Sequence, residues 1–432
     1  MSKTVCDLAQ FKGKKLLILG GFELMLRIVD IAHANGILVY VTDYDKDSPC
    51  KKVADKAFDV NAIDVDAVVD LIKRESIDGM ITGYVDMLLP YYAEICRKAG
   101  IPSYATLEQV QLICTKDSFN DLCERFDLPV PKRYSESDAT NGKAEYPLAV
   151  KPVDNSGSRG LTLCYKKEDV PAAIEKAKGL SKLGRCIIQE YLPDETVLLQ
   201  YYVQDGNPTL FGLSDQYKVN IYADKSMIGS CEYAPSKYTK QWIEKYNDKF
   251  ISMLKSTGIK NGSCEIECWL KNGEIHVGDI GFRMCGGKQE YYYADATGVY
   301  LPEMLIELAL SGRMADCDIS KCADPCMHGK KYGHIKITMK PGTINKITGF
   351  DELRRQERIL RADCYFSEGY TVKPEEVGTY KDLVSRIFFK CSEGDNFADF
   401  AEEIFDTVDF LDAEGKSLKL PTNVYNGFVF DR

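Results

Sequence analysis

Residues 264–280 carry the feature that most restricts the fold. Two apolar-rich runs, CEIECWL (Cys264 to Leu270) and IHVGDI (Ile275 to Ile280), are joined by Lys271-Asn272-Gly273-Glu274. An Asn-Gly pair accepts the positive φ angles of a tight turn whose twist matches that of the flanking strands, so the segment predicts an antiparallel hairpin. Each arm offers an acid, Glu267 on the first and Asp279 on the second, with Asp279 twelve positions on. An acid on each strand of an antiparallel pair can share a face, and two such carboxylates suit a hard divalent cation bound through oxygen. A single acid on a half-exposed strand is ordinarily just solvated. Two facing acids followed closely by Arg283 and Gly286–Gly287 carry more weight.

Upstream, KLLILG (Lys15 to Gly20) reads as a strand ending in a Gly20–Gly21 turn, followed by a helix from Glu23 to Asn35 and a strand from Ile37 to Thr42. This is a βαβ unit with a parallel pair. A helix over Asp66 to Arg74, a short strand Gly79 to Thr82 and a helix Leu89 to Lys98 complete an open α/β region of about 110 residues. A dinucleotide site with Asp43 as the ribose acid is not supported, because G-x-G-x-x-G is incomplete. A further helix is expected from Thr115, as N-cap, to Phe126. That places the cation of Lys116 in the first turn, where the helix dipole disfavours it.

A second α/β region starts with the strand YPLAV (Tyr146 to Val150), ending in Lys151–Pro152. The loop Asp154-Asn155-Ser156-Gly157-Ser158-Arg159-Gly160 leads to a strand Leu161 to Tyr165. Backbone N–H groups on a Gly/Ser tip can cradle phosphates, and a lysine at the end of the incoming strand strengthens that reading. CIIQE (Cys186 to Glu190) is another strand, alternating stretches run to Gln216, and one helix is expected from Trp242 to Ser256. Beyond His334, strands (Ile335 to Met339, Ser385 to Cys391) mix with a helix from Asn396 to Val408 and show no chemical signature.

Composition bounds these readings. The 432 residues allow about three units of ~150 residues each. With 45% hydrophobic and 28% charged residues the chain is globular, not disordered. A net charge of −10 argues against general nucleic-acid or anionic-membrane partners. No apolar run reaches the ~18 residues of a membrane span, and MSKTVCDLAQFKGKK lacks a signal-peptide core. The 16 cysteines are scattered, which reads as reduced thiols in a cytoplasmic protein. Cys317, Cys322, Cys326 and His328 lie close together, but their spacing matches no paired C-x-x-C knuckle, so a cysteine-rich surface loop is the expectation.

Taken in order, Lys116, YPLAVK, DNSGSRG, IIQEYL and ECWLKNGEIHVGDIGFRMCGG resemble the ATP-grasp superfamily of carboxylate–amine ligases. The pattern is similar to the group around biotin carboxylase, carbamoyl-phosphate synthase and the L-amino-acid ligases. The resemblance implies an open parallel α/β domain over 1–110 and an ATP-grasp domain over 111–312. The latter would have two α+β subdomains, the mobile one spanning about 146–190. A small α+β domain over 313–432 would follow. It implies ATP and Mg²⁺ (Mn²⁺ as an alternative ion). Lys116 and Lys151 would contact phosphates, and the loop of Asn155, Ser156, Gly157, Ser158 and Gly160 would close over them. Glu190 and Leu192 would meet the adenine edge through their backbone, with Gln189 close by and Glu195 nearest the ribose position. Glu267 and Asp279 would hold the metal. Arg283, with Lys116 and Lys151, would neutralise the transferring phosphoryl group, and Gly286 and Gly287 would help bind the acyl substrate.

The implied reaction activates a carboxylate as an acyl phosphate, which an amine then attacks; amino acids or peptide-like molecules are the expected substrates, with a homodimer as the assembly to test. The sequence departs from the pattern at Asp279, where Glu is commoner, and at Gly281, where a metal-ligating Asn is common. Gly287 stands where biotin carboxylase has a catalytic base. A protein that binds ATP without turnover, with a degenerate metal site, therefore remains the alternative, and a kinase-like enzyme stopping at the phosphorylated product is a third.

Overall fold

The first strand of the computed structural model, which describes residues 5–192, 195–219, 228–378, 381–392 and 394–420, is β1 (Lys15–Leu19). It pairs in parallel with β2 (Leu38–Thr42) across the helix α1 (Leu26–Ala34), as the strand–turn–helix–strand pattern requires. With β3 (Lys56–Phe58) and β4 (Gly79–Ile81) they form a parallel sheet of order β3-β2-β1-β4, accompanied by α2 (Val65–Glu75) and α3 (Leu89–Ala99). The Gly20–Gly21 turn is closed from within: Gly21 N–H donates to Asp43 Oδ2 at 2.8 Å, and the Ser48 hydroxyl donates to the Gly21 carbonyl at 2.6 Å. Asp43 thus holds the turn.

Two helices, α4 (Leu107–Cys114) and α5 (Lys116–Arg125), lead to the central region. Thr115 sits at the N-cap of α5, but its side chain makes no capping bond, contrary to the role expected of it. After α6 (Glu136–Thr140), a small antiparallel sheet of order β6-β5-β7 forms from β5 (Leu148–Pro152), β6 (Thr162–Cys164) and β7 (Cys186–Glu190), covered by α7 (Val170–Leu180). Leu148, Val150, Ile188, Val170 and Ala177 belong to an apolar core of its own. Lys151 lies inside β5, opposite Ile187, because pairing with β7 continues to Pro152.

The main sheet comprises β8 (Thr196–Gln204), β9 (Asn207–Val219), β10 (Ile228–Ala234), β11 (Gly262–Lys271) and β12 (Glu274–Gly281). In place of one helix over 242–256 there are two, α8 (Thr239–Lys245) and α9 (Asn247–Ser256), broken at Tyr246, whose φ is −129°. The helices α10 (Glu290–Thr297) and α11 (Leu301–Ser311) follow the hairpin. α11 returns to the N-terminal sheet so closely that a Cβ on Gly79 would meet the Ala309 carbonyl oxygen at 2.0 Å, so only glycine fits there.

The remaining elements are β13 (Lys331–Thr338), β14 (Gly342–Thr343), β15 (Lys346–Thr348), α12 (Phe350–Arg354), β16 (Ile359–Cys364), β17 (Thr371–Val372), β18 (Leu383–Cys391), α13 (Phe397–Thr407) and β19 (Asp409–Leu411). β14 pairs with β17 and β15 with β19, but β13, β18 and β16 continue the main sheet, whose order is β12-β11-β8-β9-β10-β13-β18-β16. Residues on either side of the boundary expected near 312 thus share one sheet, although Ile335, Ile387, Phe400 and Ile404 pack in a separate core. Residues 421–432 of the expected C-terminal unit lie outside the described residues. Among the described residues no helix is long and apolar enough to cross a membrane.

Candidate active site

The hairpin β11–β12 places the two acids, and it does so through an irregularity. The ladder runs regularly from Lys271↔Glu274 to Cys268↔Val277 and then shifts, so that Glu267 opposes Asp279 and Gly278 is the extra residue. Without that bulge Glu267 would oppose Gly278, and Asp279 would sit on the other face, because alternate strand residues point to opposite sides. Gly278 is accommodated only without a side chain: a Cβ there would lie 2.3 Å from the Trp269 ring and 2.5 Å from the Glu267 carbonyl oxygen.

Three separate elements bring cations to these acids. Lys151, from β5, donates to Asp279 Oδ1 at 2.8 Å, and Lys116, from the first turn of α5, lies 3.7 Å from Asp279 Oδ2. Lys218, from β9, pairs with Glu267 at 2.5 Å. Burial pulls the Lys151 ammonium below its usual value against the attraction of Asp279. Burial alone would raise the Asp279 carboxyl, but Lys116 and Lys151 outweigh it and hold it low. The Lys151 ammonium also sits 4.9 Å from the Trp269 ring centroid. Lys116 donates in addition to the Asn155 carbonyl at 2.5 Å, which ties the loop over 154–160 to the same centre.

That loop is a series of turns with an exposed tip at Ser156, Gly157 and Ser158. Gly160 anchors its far side at φ +87°, against Pro152 and Leu180. On β7, the Gln189 side chain is buried and donates to Asn120 Oδ1 at 2.8 Å, while the Glu190 carboxylate takes Lys271 at 2.5 Å and the Lys132 N–H at 2.9 Å. These side chains are committed to structure, and at the end of β7 the Glu190 N–H donates to the Lys132 carbonyl at 2.9 Å and the Tyr191 N–H to the Pro147 carbonyl at 3.0 Å, just before half-buried Leu192. Glu195 pairs with Lys237 and Tyr238, each at 2.9 Å.

Arg283 pairs with two other acids. It donates to Asp86 Oδ2 at 3.0 Å, lies 3.8 Å from Glu265 Oε1, and has its pKa raised by Asp86 and Glu265 against burial, which opposes them. Its guanidinium fills the place a Cβ on Gly281 would take, with the nearest atoms at 2.7 Å. Gly281 therefore makes room for an arginine. The Gly286 carbonyl accepts from Arg386, and the Gly287 N–H donates to Cys285 Sγ at 3.1 Å. The expected substrate residues thus lie beside a polar cluster that sequence reasoning missed: the buried Glu232, Lys288 and Arg386 with the half-buried Asp86, Glu265 and Lys336. Glu265 alone had a signal, since it stands two residues before Glu267 and shares its face. At Cys317–His328, Asp324 accepts the Cys326 and His328 N–H groups and pairs with His328 Nδ1 at 3.2 Å.

No family model matches the chain. It is 21% identical over 397 residues to the carbamoyl phosphate synthase large chain of Methanoculleus marisnigri, covering 84% of this chain and 36% of that one. The chain thus spans about a third of the length of this curated relative. The L-amino acid ligase of Bacillus licheniformis superposes with a TM-score of 0.74 at 18% identity, covering 93% of this chain and 99% of that one. The biotin carboxylase domain of Hydrogenobacter thermophilus 2-oxoglutarate carboxylase, solved with MgADP, gives 0.75 at 17% identity, with 92% and 90% covered. The protein has the ATP-grasp fold, as its motifs imply.

Proposed function

We propose that the protein is an ATP- and Mg²⁺-dependent ligase that joins a carboxylate to an amine. A carboxylate oxygen attacks the γ-phosphorus, ADP leaves, and the amine displaces phosphate from the acyl phosphate. The observation that carries this reading is the convergence of Lys116, Lys151 and Lys218 on Glu267 and Asp279, two acids brought to one face by a bulge. Both reactants of the first step are anionic, so charge must be neutralised in a fixed geometry. In the free protein the lysines and acids neutralise each other. When nucleotide enters, Lys116 and Lys151 exchange Asp279 for phosphate oxygens. The donor set of two hard carboxylates fits Mg²⁺ (or Mn²⁺), which Glu267 and Asp279 would hold and which would supply charge neutralisation to the phosphates. The loop at 154–160, tied to Lys116 through Asn155, excludes water from the acyl phosphate.

The assigned roles follow from this. Lys116, Lys151 and the loop residues Asn155, Ser156, Gly157, Ser158 and Gly160 hold phosphates; Glu190 and Leu192 offer backbone to adenine, with Gln189 bracing the strand and Glu195 on the ribose side. Glu267 and Asp279 take the metal, and Arg283, Gly286 and Gly287 face the substrates. We place the protein in the cytoplasm, with sixteen free thiols among its described residues in support. A homodimer is the assembly to test, since the related biotin carboxylase domain was solved as a dimer. The deciding experiment is a screen of carboxylate and amine pairs, amino acids first, for conversion of ATP to ADP with mass spectrometry of the products. Phosphate release that needs both partners is expected. ATP binding without turnover for any pair would favour the non-catalytic reading, and a stable phosphorylated product the kinase-like one.

A further inference from the structure

The cysteine-rich stretch over 317–328 takes no part in the proposed reaction, and it holds a pair of thiols. Cys317 and Cys322 stand on either side of the short turn Ile319–Lys321. The Cys322 N–H donates to the Ile319 carbonyl at 3.0 Å and the Lys321 N–H to the Asp318 carbonyl at 3.3 Å, which folds the chain back between the two cysteines. Their thiols come within hydrogen-bonding reach of each other.

The backbone around them is fixed. From β8, the Gln204 amide clasps the turn: its Nε2 donates to the Cys317 carbonyl at 2.8 Å and its Oε1 accepts the Ile319 N–H at 3.0 Å. The Asp318 carboxylate accepts the Ser320 N–H at 3.1 Å and the Ser320 hydroxyl at 2.6 Å. The Ile319 side chain is buried and pins the turn into the main core. Two groups held together in this way react as an intramolecular pair, with little chain freedom left to lose.

Access separates this pair from other cysteines of the chain. Cys317 is exposed and Cys322 half-buried, whereas Cys264 and Cys268, on one strand, are buried and out of reach of a dissolved oxidant. Cys326 is exposed too, but its N–H is held by Asp324, outside the turn that Gln204 clasps. Burial raises the Cys317 thiol, and Cys322, Asp318 and Asp316 add to the effect. Cys317 therefore rests as a thiol at neutral pH and gains reactivity as pH rises.

We infer that Cys317 and Cys322 are a reversible disulfide site, oxidised by a low-molecular-weight disulfide of the glutathione kind. One cysteine thiolate attacks the small disulfide, which forms a mixed disulfide and releases one small thiol. The second thiolate then attacks the protein sulfur of that bond and releases the other small thiol. The two protein thiols give up two electrons and two protons, and one small disulfide becomes two small thiols. A bond that closes so short a loop adds little stability, and an exposed one is readily reduced, so it marks the redox state and does not staple the fold. None of this depends on the ligase reading.

The test is a peptide map. The reduced full chain is incubated with glutathione disulfide at about pH 8, where thiolate forms more readily. It is then quenched in acid, its remaining thiols are blocked, and it is digested with trypsin. Trypsin cuts after Arg313, Lys321 and Lys330, so a bond between Cys317 and Cys322 joins the peptides 314–321 and 322–330. Fragmentation tells Cys322 from Cys326 within the second peptide. The link is expected to form in the wild type, to be reversed by dithiothreitol and to persist in Cys326→Ser. In Cys322→Ser, Cys317 is expected to stop at the mixed disulfide with glutathione. Recovery of Cys317 and Cys322 as free thiols, or only as separate glutathione adducts, overturns the inference, as does a link from Cys317 to Cys326; each of these is read on the wild type. A thermal denaturation scan of the oxidised chain is expected to keep its cooperative transition, and loss of that transition overturns the inference by showing that the bond forms only after unfolding.

Discussion

Replacing Gly278 by alanine tests the geometric basis of the site. The methyl group would lie 2.3 Å from the Trp269 ring and 2.5 Å from the Glu267 carbonyl oxygen. Ordinary contacts of that kind are about 3.5 Å or more. The carbonyl belongs to the ladder and cannot swing aside as a side-chain tip can, so the variant must open the bulge or shift the strand. Overpacking of this kind costs about 1–3 kcal/mol. Reverting to a regular ladder would instead oppose Glu267 with residue 278 and send Asp279 to the other face, away from Lys116 and Lys151. Either route separates the charges that must meet phosphate and metal. The expected outcome is a denaturation midpoint lowered by several degrees and a fall in ATP-dependent phosphate release of about 100-fold or more, the equivalent of ~2.7 kcal/mol or more. The half-saturating Mg²⁺ concentration should rise in step. Wild-type stability together with wild-type turnover would refute the argument, because it would show that Asp279 does not need the bulge to reach its place.

Three further outcomes are expected. Lys151→Met should weaken ATP binding by about tenfold or more, the loss of a charged hydrogen bond worth ~1.5–3 kcal/mol, while leaving the stability of the free protein nearly unchanged, because it also removes a buried amine; calorimetry and thermal denaturation read the two arms, and unchanged ATP affinity would exclude Lys151 from the phosphate site. Gly281→Asn should displace the Arg283 guanidinium from Asp86 and Glu265 and abolish turnover with ATP binding intact; a lower Mg²⁺ requirement with full turnover would show instead that an amide oxygen at 281 can serve the metal. Asp215, buried and bonded by the Ser236 hydroxyl at 2.5 Å, has its carboxyl pushed up by burial from 3.8 to about 6. The folded state therefore holds a proton that the unfolded chain gives up, so this contribution to stability is full below pH 3.8 and is lost as pH rises through about 6; Asp215→Asn should flatten the fall in melting temperature across that window, and an unchanged slope would discount the burial effect.

Much of this protein is legible in the amino-acid sequence because the relevant physics is local. KLLILG, a helical pattern and ILVYVT specify a βαβ unit, and Asn272–Gly273 specifies a tight hairpin whatever surrounds it. Lys116, Lys151, Glu267 and Asp279 could be picked out from order and spacing, and the structure brings Lys116, Lys151 and Asp279 together. Boundaries that depend on partners were less legible. β5 runs on to Pro152 because β7 is there to pair with it, and the helix expected over 242–256 breaks at Tyr246.

What only the tertiary structure decided lies at longer range. The hairpin's local register would put Glu267 and Asp279 on opposite faces; the bulge at Gly278, lodged against Trp269, puts them on one. Gly281 reads in sequence as a missing metal ligand, yet in the fold it is the space into which Arg283 turns toward Asp86, a residue almost two hundred positions away. Lys288, Lys336 and Arg386 look like ordinary charges along the chain and become one cluster only because β13 and β18 extend the sheet that carries the acids. Chain-local preferences set which segments become strands and turns. Which charges must share a low-dielectric interior is set by strand pairing between distant segments, and no spacing rule records it.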